Sequence, residues 1–530
     1  MTGALNDTEV LLKQFNFNSA TFIAVFAVSL LYWIAVKGRR RLMYYRIPSV
    51  GCGNDPLTSF WAAKRFKTDC KSLIQEGYDK ARGLFKLAIA DRWVVIVTGK
   101  ELIRELWSAP DEKLNFHKAI DEATKSKFSF GTAVTENAYH VNIIRGRLTR
   151  NIPELSPELL DEVVCSFSNE FQHSTEWKTF SPIPHIQRIV CRASNRLFVG
   201  LPMCRNASYI RLNIGYTLEV WYTQQTLNGY PAFLQSVIGR YITNIGTRTK
   251  EAVNLLTPII EERLSILTCS NADYSQLPND LLTWLIIDTP NKKGRNVLEL
   301  CQRLLVVNFG AIHSATNTFV HLLFHLAANP SWVKILREEV KYATEVDGWT
   351  KTALDKMQKL DSILREGLRM DGVNLWSLNR VAMEDYTFSN GVTVPKGALL
   401  AAPTSALHTD GSTEQIMGEQ PPDVFDPWRF SRSCRSDSEG KHLEGLETHS
   451  NMALATTTSW NYLPFGHGKL SCPGRFFAGI QLKLMIAHFI QHYDVKLEKR
   501  CSGKPPNVYV GYSCAPNQQA RVMVKAHQNM

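Results

Sequence analysis

The segment Phe465-Gly-His-Gly-Lys-Leu-Ser-Cys472-Pro-Gly474 sets one cysteine in a glycine-rich loop. Apolar residues then recur at helical spacing from Phe477 to Ala487, so a helix is predicted directly after the loop. The first turn of a helix offers unpaired backbone N–H groups and the positive end of the helix dipole. A thiol at that place favours the thiolate, and the segment therefore predicts that Cys472 is a metal ligand or a nucleophile.

The loop resembles the cysteine signature of the cytochrome P-450 family, Phe-x-x-Gly-x-Arg/His-x-Cys-x-Gly. The resemblance implies that Cys472 is the axial thiolate of a b-type haem iron. It also assigns Phe465, Gly468 and Gly474 to the cofactor site. Leu470 stands where the family has Arg or His, so one partner of a haem propionate is missing. The residues alone leave open a strand-to-helix turn that carries one of eleven cysteines.

A glutamate and an arginine three residues apart, Glu366 and Arg369, lie in a helical pattern from Leu354 to Met370. This spacing places both side chains on one helix face, where they can pair. Exposed pairs at this spacing are common and stabilise little. The family resemblance implies instead a buried pair that supports the haem-binding core, with Arg429 as a third partner.

A long helical pattern runs from Val297 to Ala328 and ends at a proline. Gly310 lowers helix propensity in the middle of this run, which close helix packing would also explain. The run resembles the helix that crosses the distal face of the haem in the family. There the resemblance assigns proton delivery to Ser314 and His313, the latter in place of the usual carboxylate. A surface or buried structural histidine is the alternative for His313.

The family's Trp-x-x-x-Arg motif, which contacts a haem propionate, is absent from this sequence. His140 and Arg145 are the nearest candidates for that role, and Arg380 is a third. All three are assigned to the cofactor by the resemblance alone.

Residues 20–36 are seventeen residues without a charge, and this length is near the lower limit for a helix that spans a bilayer. Basic residues follow at once, so the positive-inside rule places residues 1–19 in the lumen and the rest of the chain in the cytosol. We therefore expect a single-pass anchor in the endoplasmic reticulum membrane and a basic, proline-containing linker at 37–59. The sequon at Asn6 would then be glycosylated, whereas the sequon at Asn206 would stay bare.

The remaining chain, 60–530, contains no internal repeat and no domain linker, and residues 434–459 read as a flexible polar insertion. Two hairpins are predicted, at 84–98 and at 386–394. Most other segments have helical periodicity. The fold class expected from this pattern and from the family is mainly α with small β-sheets, the cytochrome P-450 fold, preceded by one transmembrane helix.

The formal net charge of +11 is spread along the chain and forms no nucleic-acid motif. It suits an anionic membrane surface and an acidic redox partner, although a solvated basic surface is the simpler explanation. An aromatic stretch surrounds Gly229, in the region where the family has the segment that covers the substrate entrance. The alternative interpretation is that these side chains are buried in the core. The members of the stretch are Trp221, Tyr222, Tyr230, Phe233 and Leu234.

The resemblance implies a membrane-anchored monooxygenase that uses O₂ and electrons from NADPH through a separate reductase, with cytochrome b5 as a second possible donor. Local motifs are similar to the fungal gibberellin, ent-kaurene and indole-diterpene oxidases of secondary metabolism. A small apolar substrate, such as a polycyclic terpenoid, is expected on that basis. Two other functions stay open, a haem-thiolate isomerase or dehydratase that needs no O₂, and a non-catalytic haem-binding protein.

Overall fold

The computed structural model is mainly helical, with small sheets at its periphery. It describes residues 42–51, 53, 56–81, 83–89, 92–172, 174–228, 230, 232–268, 274–290, 296–412, 419–436, 454–498 and 503–528. Among these residues, no helix is both long enough and apolar enough to cross a membrane. The predicted anchor at 20–36 and the luminal segment 1–19 lie outside the described residues.

The helices range in length from four to 32 residues. They are α1 Pro56–Lys80 (kinked at Asp69), α2 Lys100–Ser108, α3 Phe116–Thr124, α4 Ser126–Ser129, α5 Thr132–Glu136, α6 Tyr139–Ile143, α7 Thr149–Phe171, α8 Pro182–Phe198, α9 Ala207–Leu227, α10 Ala232–Ile242, α11 Ile245–Thr268, α12 Leu281–Ile287, α13 Val297–Ala328, α14 Pro330–Asp347, α15 Lys351–Lys356, α16 Gln358–Met370, α17 Thr404–His408, α18 Arg429–Ser436 and α19 Arg475–His492.

The strands are short and mostly antiparallel. They are β1 Leu84–Ala88, β2 Trp93–Val97, β3 Leu114–Asn115, β4 Lys178–Phe180, β5 Ser377–Ala382, β6 Tyr386–Thr387, β7 Thr393–Val394, β8 Leu399–Ala402, β9 Tyr493–Leu497, β10 Val508–Val510, β11 Ser513–Ala515 and β12 Val522–Ala526. The largest sheet has the order β1-β2-β8-β5-β3, and its β2–β8 pair is parallel. Both predicted hairpins form, since β1 pairs with β2 and β6 pairs with β7.

Helix α13 begins and ends where the sequence predicts. The side chain of Asn296 accepts a hydrogen bond from the backbone N–H of Glu299, which caps the first turn. Asn329 leaves helical geometry before Pro330, because a proline disfavours the helical conformation of the preceding residue. Most of the helix is buried, and it packs against α8, α11 and α16.

The predicted helix from Leu354 to Met370 is interrupted. Met357 has a backbone ψ of 70°, so α15 and α16 are separate helices. Helix α16 lies very close to α13: a Cβ atom added at Gly367 would stand only 2.6 Å from Leu322 Cδ2. Glycine at this position therefore sets the depth at which α16 enters the core.

The predicted linker at 37–59 is in part ordered structure. The backbone N–H of Lys86 donates to Pro48 O (2.8 Å), so this segment joins the edge of the large sheet. Helix α1 already begins at Pro56. The linker expected from composition thus ends earlier than predicted, because its apolar residues Ile47 and Val50 are buried against the sheet.

The predicted insertion at 434–459 overlaps described residues at both ends. Residues 434–436 are the last residues of α18, and the carbonyl oxygen of Leu454 accepts a hydrogen bond from Arg365 Nη1 (2.6 Å). Residues 437–453 lie outside the described part of the chain. Flexibility of the insertion stays a prediction for them.

Candidate functional site

Cys472 lies at the end of a tight loop that precedes α19. Its backbone N–H donates to the carbonyl oxygen of Phe465 (2.8 Å), which closes the loop. Gly468 has a φ of 71°, and a Cβ atom there would stand 2.7 Å from Trp107 Cε3. Both its backbone conformation and the approach of Trp107 therefore require glycine.

Burial and the helix terminus have opposite effects on the Cys472 sulfur. Burial raises the pKa of the thiol, whereas the backbone N–H groups of Gly474 and Arg475 and the charges of Arg475 and Arg145 act in the opposite direction. Burial is the largest of these effects, so the pKa of the thiol without a metal lies above its ordinary value. A metal cation bound to the sulfur would supply the missing stabilisation, because a coordinated thiol is deprotonated outright.

A cavity of about 430 Å³, which we call the thiol cavity, separates this loop from α13. Phe465, Cys472 and Gly474 line it on the loop side, and Gly310 and Ser314 line it from α13. Its volume lies within the range of roughly 300–1,000 Å³ that is usual for ligand pockets. The loop and the long helix thus face each other across a space of cofactor size.

Gly310 faces open space, since a Cβ atom added there would meet no atom within 4 Å. Close helix packing therefore does not account for this glycine. Ser314 Oγ donates to the Gly310 carbonyl oxygen (3.0 Å), and Thr318 Oγ1 donates to the Ser314 carbonyl oxygen (3.0 Å). Helix α13 thus presents two hydroxyl groups to the thiol cavity, of which Thr318 was not singled out from the sequence.

His313 has a different environment from Ser314. It is absent from the thiol-cavity lining among the described residues, and its Nε2 atom lies 3.3 Å from Asn317 Nδ2. Burial lowers the pKa of its imidazole. The structure therefore does not bring the two predicted proton-handling residues together at the cavity.

Glu366, Arg369 and Arg429 form a buried cluster of the kind that the family resemblance implies. The Glu366 carboxylate accepts hydrogen bonds from Arg369 Nε (2.7 Å) and Nη2 (2.7 Å) and from Arg429 Nε (3.2 Å). None of the three side chains is more than 1% exposed. Arg369 Nη1 and Arg429 Nη1 then donate to backbone carbonyls of residues 420–422. The cluster thus anchors this irregular segment to α16.

His408, which the sequence analysis missed, connects this cluster to the cysteine loop. Its Nδ1–H donates to the Arg369 carbonyl oxygen (2.9 Å), and its Nε2 accepts from the Leu463 backbone N–H (2.9 Å). Burial lowers the pKa of His408 to about 3, so it is neutral and has both hydrogen bonds at neutral pH. No local pattern marks this residue, because Leu463 is far from it in the sequence.

The three residues predicted to contact haem propionates differ in their position relative to the thiol cavity. His140 lines the thiol cavity, and Arg145 Nη2 donates to the carbonyl oxygen of Ser471 (3.4 Å) from a single π-helical turn. Arg380 is outside that lining and is only 1% exposed. In the part of the chain that the structure describes, its Nε and Nη2 atoms have no hydrogen-bond partner.

An arginine that the sequence did not single out, Arg303, holds His140 in place. Arg303 Nη1 donates to His140 Nδ1 (3.2 Å), and the guanidinium lies 4.0 Å from the centre of the Tyr139 ring. Burial and the charge of Arg303 lower the pKa of His140 to about 4. The imidazole is thus neutral with its proton on Nε2, the form that can donate to a carboxylate.

These residues fit a haem. A buried thiol faces a cavity of suitable size. Arg380 Nη1 donates to the Asn379 carbonyl oxygen (2.8 Å), whereas its Nε and Nη2 atoms lack partners among the described residues at an energetic cost that a propionate would remove. His140 adds a neutral donor in the cavity wall. The site would thus hold the cofactor through Cys472, with carboxylate contacts drawn from His140, Arg145 and Arg380.

The aromatic stretch around Gly229 is not core. Trp221, Tyr222, Tyr230 and Leu234 are 39%, 55%, 42% and 38% exposed, and the side chain of Phe233 lies outside the described residues. This excludes the plain core interpretation for the four described side chains. Burial inside the protein therefore does not explain their apolar character.

The sequence profile of the cytochrome P450 family matches residues 53–517. Cytochrome P450 monooxygenase 151 of Postia placenta is 37% identical, over 91% of this chain and 94% of the relative. Cytochrome P450 monooxygenase CYP512U6 of Ganoderma lucidum is 34% identical, over 90% and 91% of the two chains. Cytochrome P450 monooxygenase olcJ of Penicillium canescens is 29% identical, over 98% and 96%.

Proposed function

The chain belongs to the cytochrome P450 family and is a haem-thiolate monooxygenase, and from this premise we propose that it oxidises an apolar polycyclic substrate, such as a terpenoid, in fungal secondary metabolism. One observation carries the substrate class. The thiol cavity is lined mainly by apolar side chains, among them Val307, Ala311, Leu368 and Val373, with few polar groups between them. Such a lining favours a hydrocarbon skeleton and orients it by a small number of hydrogen bonds.

When bound, the haem iron activates O₂ with electrons from a reductase, and its thiolate ligand favours O–O cleavage. The residues of the chain position the cofactor and exclude water from the cavity. Cys472 would hold the iron, and Phe465 and Phe477 line the same part of the cavity and limit the access of water. Ser314 keeps a hydroxyl on the opposite wall, where its oxygen can hold a water molecule and pass a proton to the reacting oxygen.

The electron donor that we propose is a membrane-bound, NADPH-dependent reductase, with cytochrome b5 as a second donor. Lys469 is exposed in the cysteine loop, and Arg475 Nη1 donates to the Cys472 carbonyl oxygen (3.0 Å). Positive charge beside the cysteine loop would attract an acidic partner to that side.

We propose that the protein is anchored in the endoplasmic reticulum membrane by residues 20–36, with its catalytic domain in the cytosol. Two exposed apolar groups support contact with lipid. Phe60 and Trp61 at the start of α1 are 67% and 61% exposed, and Val237 and Tyr241 in α10 are 57% and 85% exposed. Amphipathic aromatic side chains are favoured at the interface between lipid and water.

Glycan mapping tests this topology. We expect glycan on Asn6 and none on Asn206, whose side chain caps α9 by accepting from the N–H groups of Ser208 and Tyr209. Glycan on Asn206 would reverse the orientation.

Turnover of apolar polycyclic compounds by the full-length protein with its reductase tests the activity. We expect a substrate-induced spin shift, and product that requires both NADPH and O₂ and contains one atom of ¹⁸O from labelled O₂. Product that forms without O₂ would indicate an isomerase or dehydratase instead. A spin shift without any product would indicate a binding protein.

A further inference from the structure

Four polar side chains form one stripe along α13. They follow one another at separations of four, three and four residues, and this spacing places them on one face of a helix. The stripe consists of Ser314, Thr318, His321 and His325. Ser314 and Thr318 line the thiol cavity, whereas the two histidines lie outside its described lining. The stripe therefore leads from the wall of the cavity into the buried part of the helix.

The far end of the stripe reaches the surface through a carboxylate. His325 Nε2 lies 2.8 Å from Asp371 Oδ2, and Asp371 Oδ1 accepts hydrogen bonds from Lys504 Nζ (2.9 Å) and Asn507 Nδ2 (2.7 Å). Asp371 is buried, whereas the side chain of Lys504 is 16% exposed. Protons from solvent can therefore reach the buried carboxylate through the ammonium group of Lys504.

His321 lies between these two ends and is unusual in its hydrogen bonding. It is 1% exposed, and neither Nδ1 nor Nε2 has a hydrogen-bond partner among the described residues. Burial lowers the pKa of its imidazole to about 4, and the charge of Asp371 acts in the opposite direction, so this carboxylate is nearby. A buried polar atom without a partner costs free energy. A packing role alone therefore does not explain a histidine at this position.

Water molecules suit the gaps on either side of His321. Side chains three or four residues apart on a helix have Cβ atoms about 5–6 Å apart. One water that makes two hydrogen bonds of about 2.8 Å spans such a distance, and buried waters bind where polar groups lack partners. The Thr318 hydroxyl donates to the Ser314 carbonyl oxygen, which leaves its lone pairs to accept from such a water.

We propose that His321 is a proton-transfer residue, which connects Asp371 to the Thr318 hydroxyl through bound water, and that protons reach the thiol cavity along this stripe. One ring nitrogen takes a proton that comes from the Lys504 ammonium by way of the Asp371 carboxylate. The other ring nitrogen releases its proton through water to Thr318, whose own hydroxyl proton passes to the reacting oxygen. Solvent then returns a proton to Lys504, and rotation of the His321 ring restores its first tautomer.

This inference rests on the proposed function, which requires protons at the thiol cavity, and it deepens that function by naming their source. His313 stands where the family has a carboxylate, but it lies outside the described lining of the cavity. The stripe on α13 supplies another path, which begins at a carboxylate on the far side of the helix from solvent.

Unfolding of the haem-loaded, substrate-free protein tests the link between His321 and Thr318 without any turnover. Thr318→Val and His321→Leu remove the two polar groups singly, and the double variant removes both. If both groups bind one water, the changes in the free energy of unfolding are not additive. Thr316→Val is the matched control, because the Thr316 hydroxyl also donates to a carbonyl oxygen four residues earlier (2.7 Å) but lies outside the described cavity lining. Additive effects of Thr318→Val and His321→Leu would overturn the proposal.

His321→Gln separates proton transfer from structure. Glutamine keeps a hydrogen-bond donor and an acceptor but does not exchange protons as an imidazole does. We expect product per NADPH to fall by at least about tenfold, with unchanged haem content. The remaining turnover should slow more strongly in D₂O than that of the unaltered protein, because proton delivery has become the slow step. A histidine with only a structural role would be replaced by glutamine without change in coupling or in the solvent isotope effect.

Thr318→Val should uncouple NADPH consumption from product formation, whereas Thr316→Val should not. Equal coupling in these two variants would contradict the path. Failure of the unaltered protein to form product with any substrate would count against the proposed function instead, because the unfolding test requires neither NADPH nor O₂.

Discussion

His408 Nε2 accepts the backbone N–H of Leu463 at 2.9 Å, and this bond joins the buried Glu366 cluster to the cysteine loop. The other ring nitrogen of His408 donates to the Arg369 carbonyl oxygen. Gly466 N–H in turn donates to the Leu463 carbonyl oxygen (3.0 Å). A continuous set of hydrogen bonds thus runs from the buried carboxylate to the loop that holds Cys472.

Replacing His408 tests this connection. His408→Phe keeps an aromatic ring but leaves the Leu463 N–H and the Arg369 carbonyl oxygen without these partners, at a cost of about 2–4 kcal/mol of stability. We expect a lower denaturant midpoint and a lower haem content in the purified protein. His117→Phe is the control, because His117 is exposed. Equal haem content in both variants would contradict the structural role of His408.

Stability should decrease in mild acid. Burial lowers the pKa of His408 to about 3 and that of His140 and His321 to about 4. Between pH 6.5 and 4 the unfolded chain therefore binds protons at these sites that the folded protein does not, so the free energy of unfolding falls as the pH falls. Each histidine contributes at most about 1.4 kcal/mol per pH unit. Urea unfolding at pH 7.5 and 5.5 measures the effect, and equal stability at both values would contradict it.

Arg380 should have opposite effects on the haem-free and haem-loaded protein. Burial lowers the pKa of its guanidinium to about 10, so it stays charged at neutral pH. Its Nε and Nη2 atoms lack partners among the described residues. Arg380→Met should therefore stabilise the haem-free protein by about 1–3 kcal/mol.

The same variant should release haem faster to an acceptor protein, because a propionate contact is lost. Unfolding of the haem-free protein and the rate of haem transfer measure the two effects. Arg104→Met, at an exposed position on α2, is the control. If Arg380→Met destabilises the haem-free protein and leaves haem transfer unchanged, Arg380 has a structural role only.

Ser314 and His313 should differ in their effect on coupling. Ser314→Ala removes a hydroxyl from the wall of the thiol cavity, so we expect more NADPH consumed per product with haem binding intact. His313→Gln should leave coupling nearly unchanged, because His313 lies beside Asn317 and outside that lining. Product yield per NADPH in the two variants is the measurement. Uncoupling by His313→Gln alone would reverse the assignment.

The sequence predicts the features that depend on local pattern. The bounds of α13 follow from the cap at Asn296 and the proline at 330, and both hairpins follow from short strand-like runs on either side of turn residues. The cluster of Glu366, Arg369 and Arg429 was assigned by the family resemblance, because spacing alone does not show burial.

The features that the sequence does not predict depend on long-range contacts. His408 bonds to Leu463, and Arg303 reaches His140, across separations of 55 and 163 residues. Spacing in the sequence gives no sign of either pair. Burial of the Cys472 thiol, which raises its pKa in the absence of a metal, also depends on the whole fold and not on the local helix terminus.

The central claim is that Cys472 is the thiolate ligand of a haem iron in the thiol cavity. The carbon monoxide difference spectrum of reduced membranes that contain the full-length protein tests it most directly, with Cys472→His for comparison. We predict the strongly red-shifted Soret band of a thiolate-ligated ferrous carbonyl, and its loss in Cys472→His. An imidazole-type band in the unaltered protein, or a red-shifted band that survives the substitution, would contradict the assignment of Cys472.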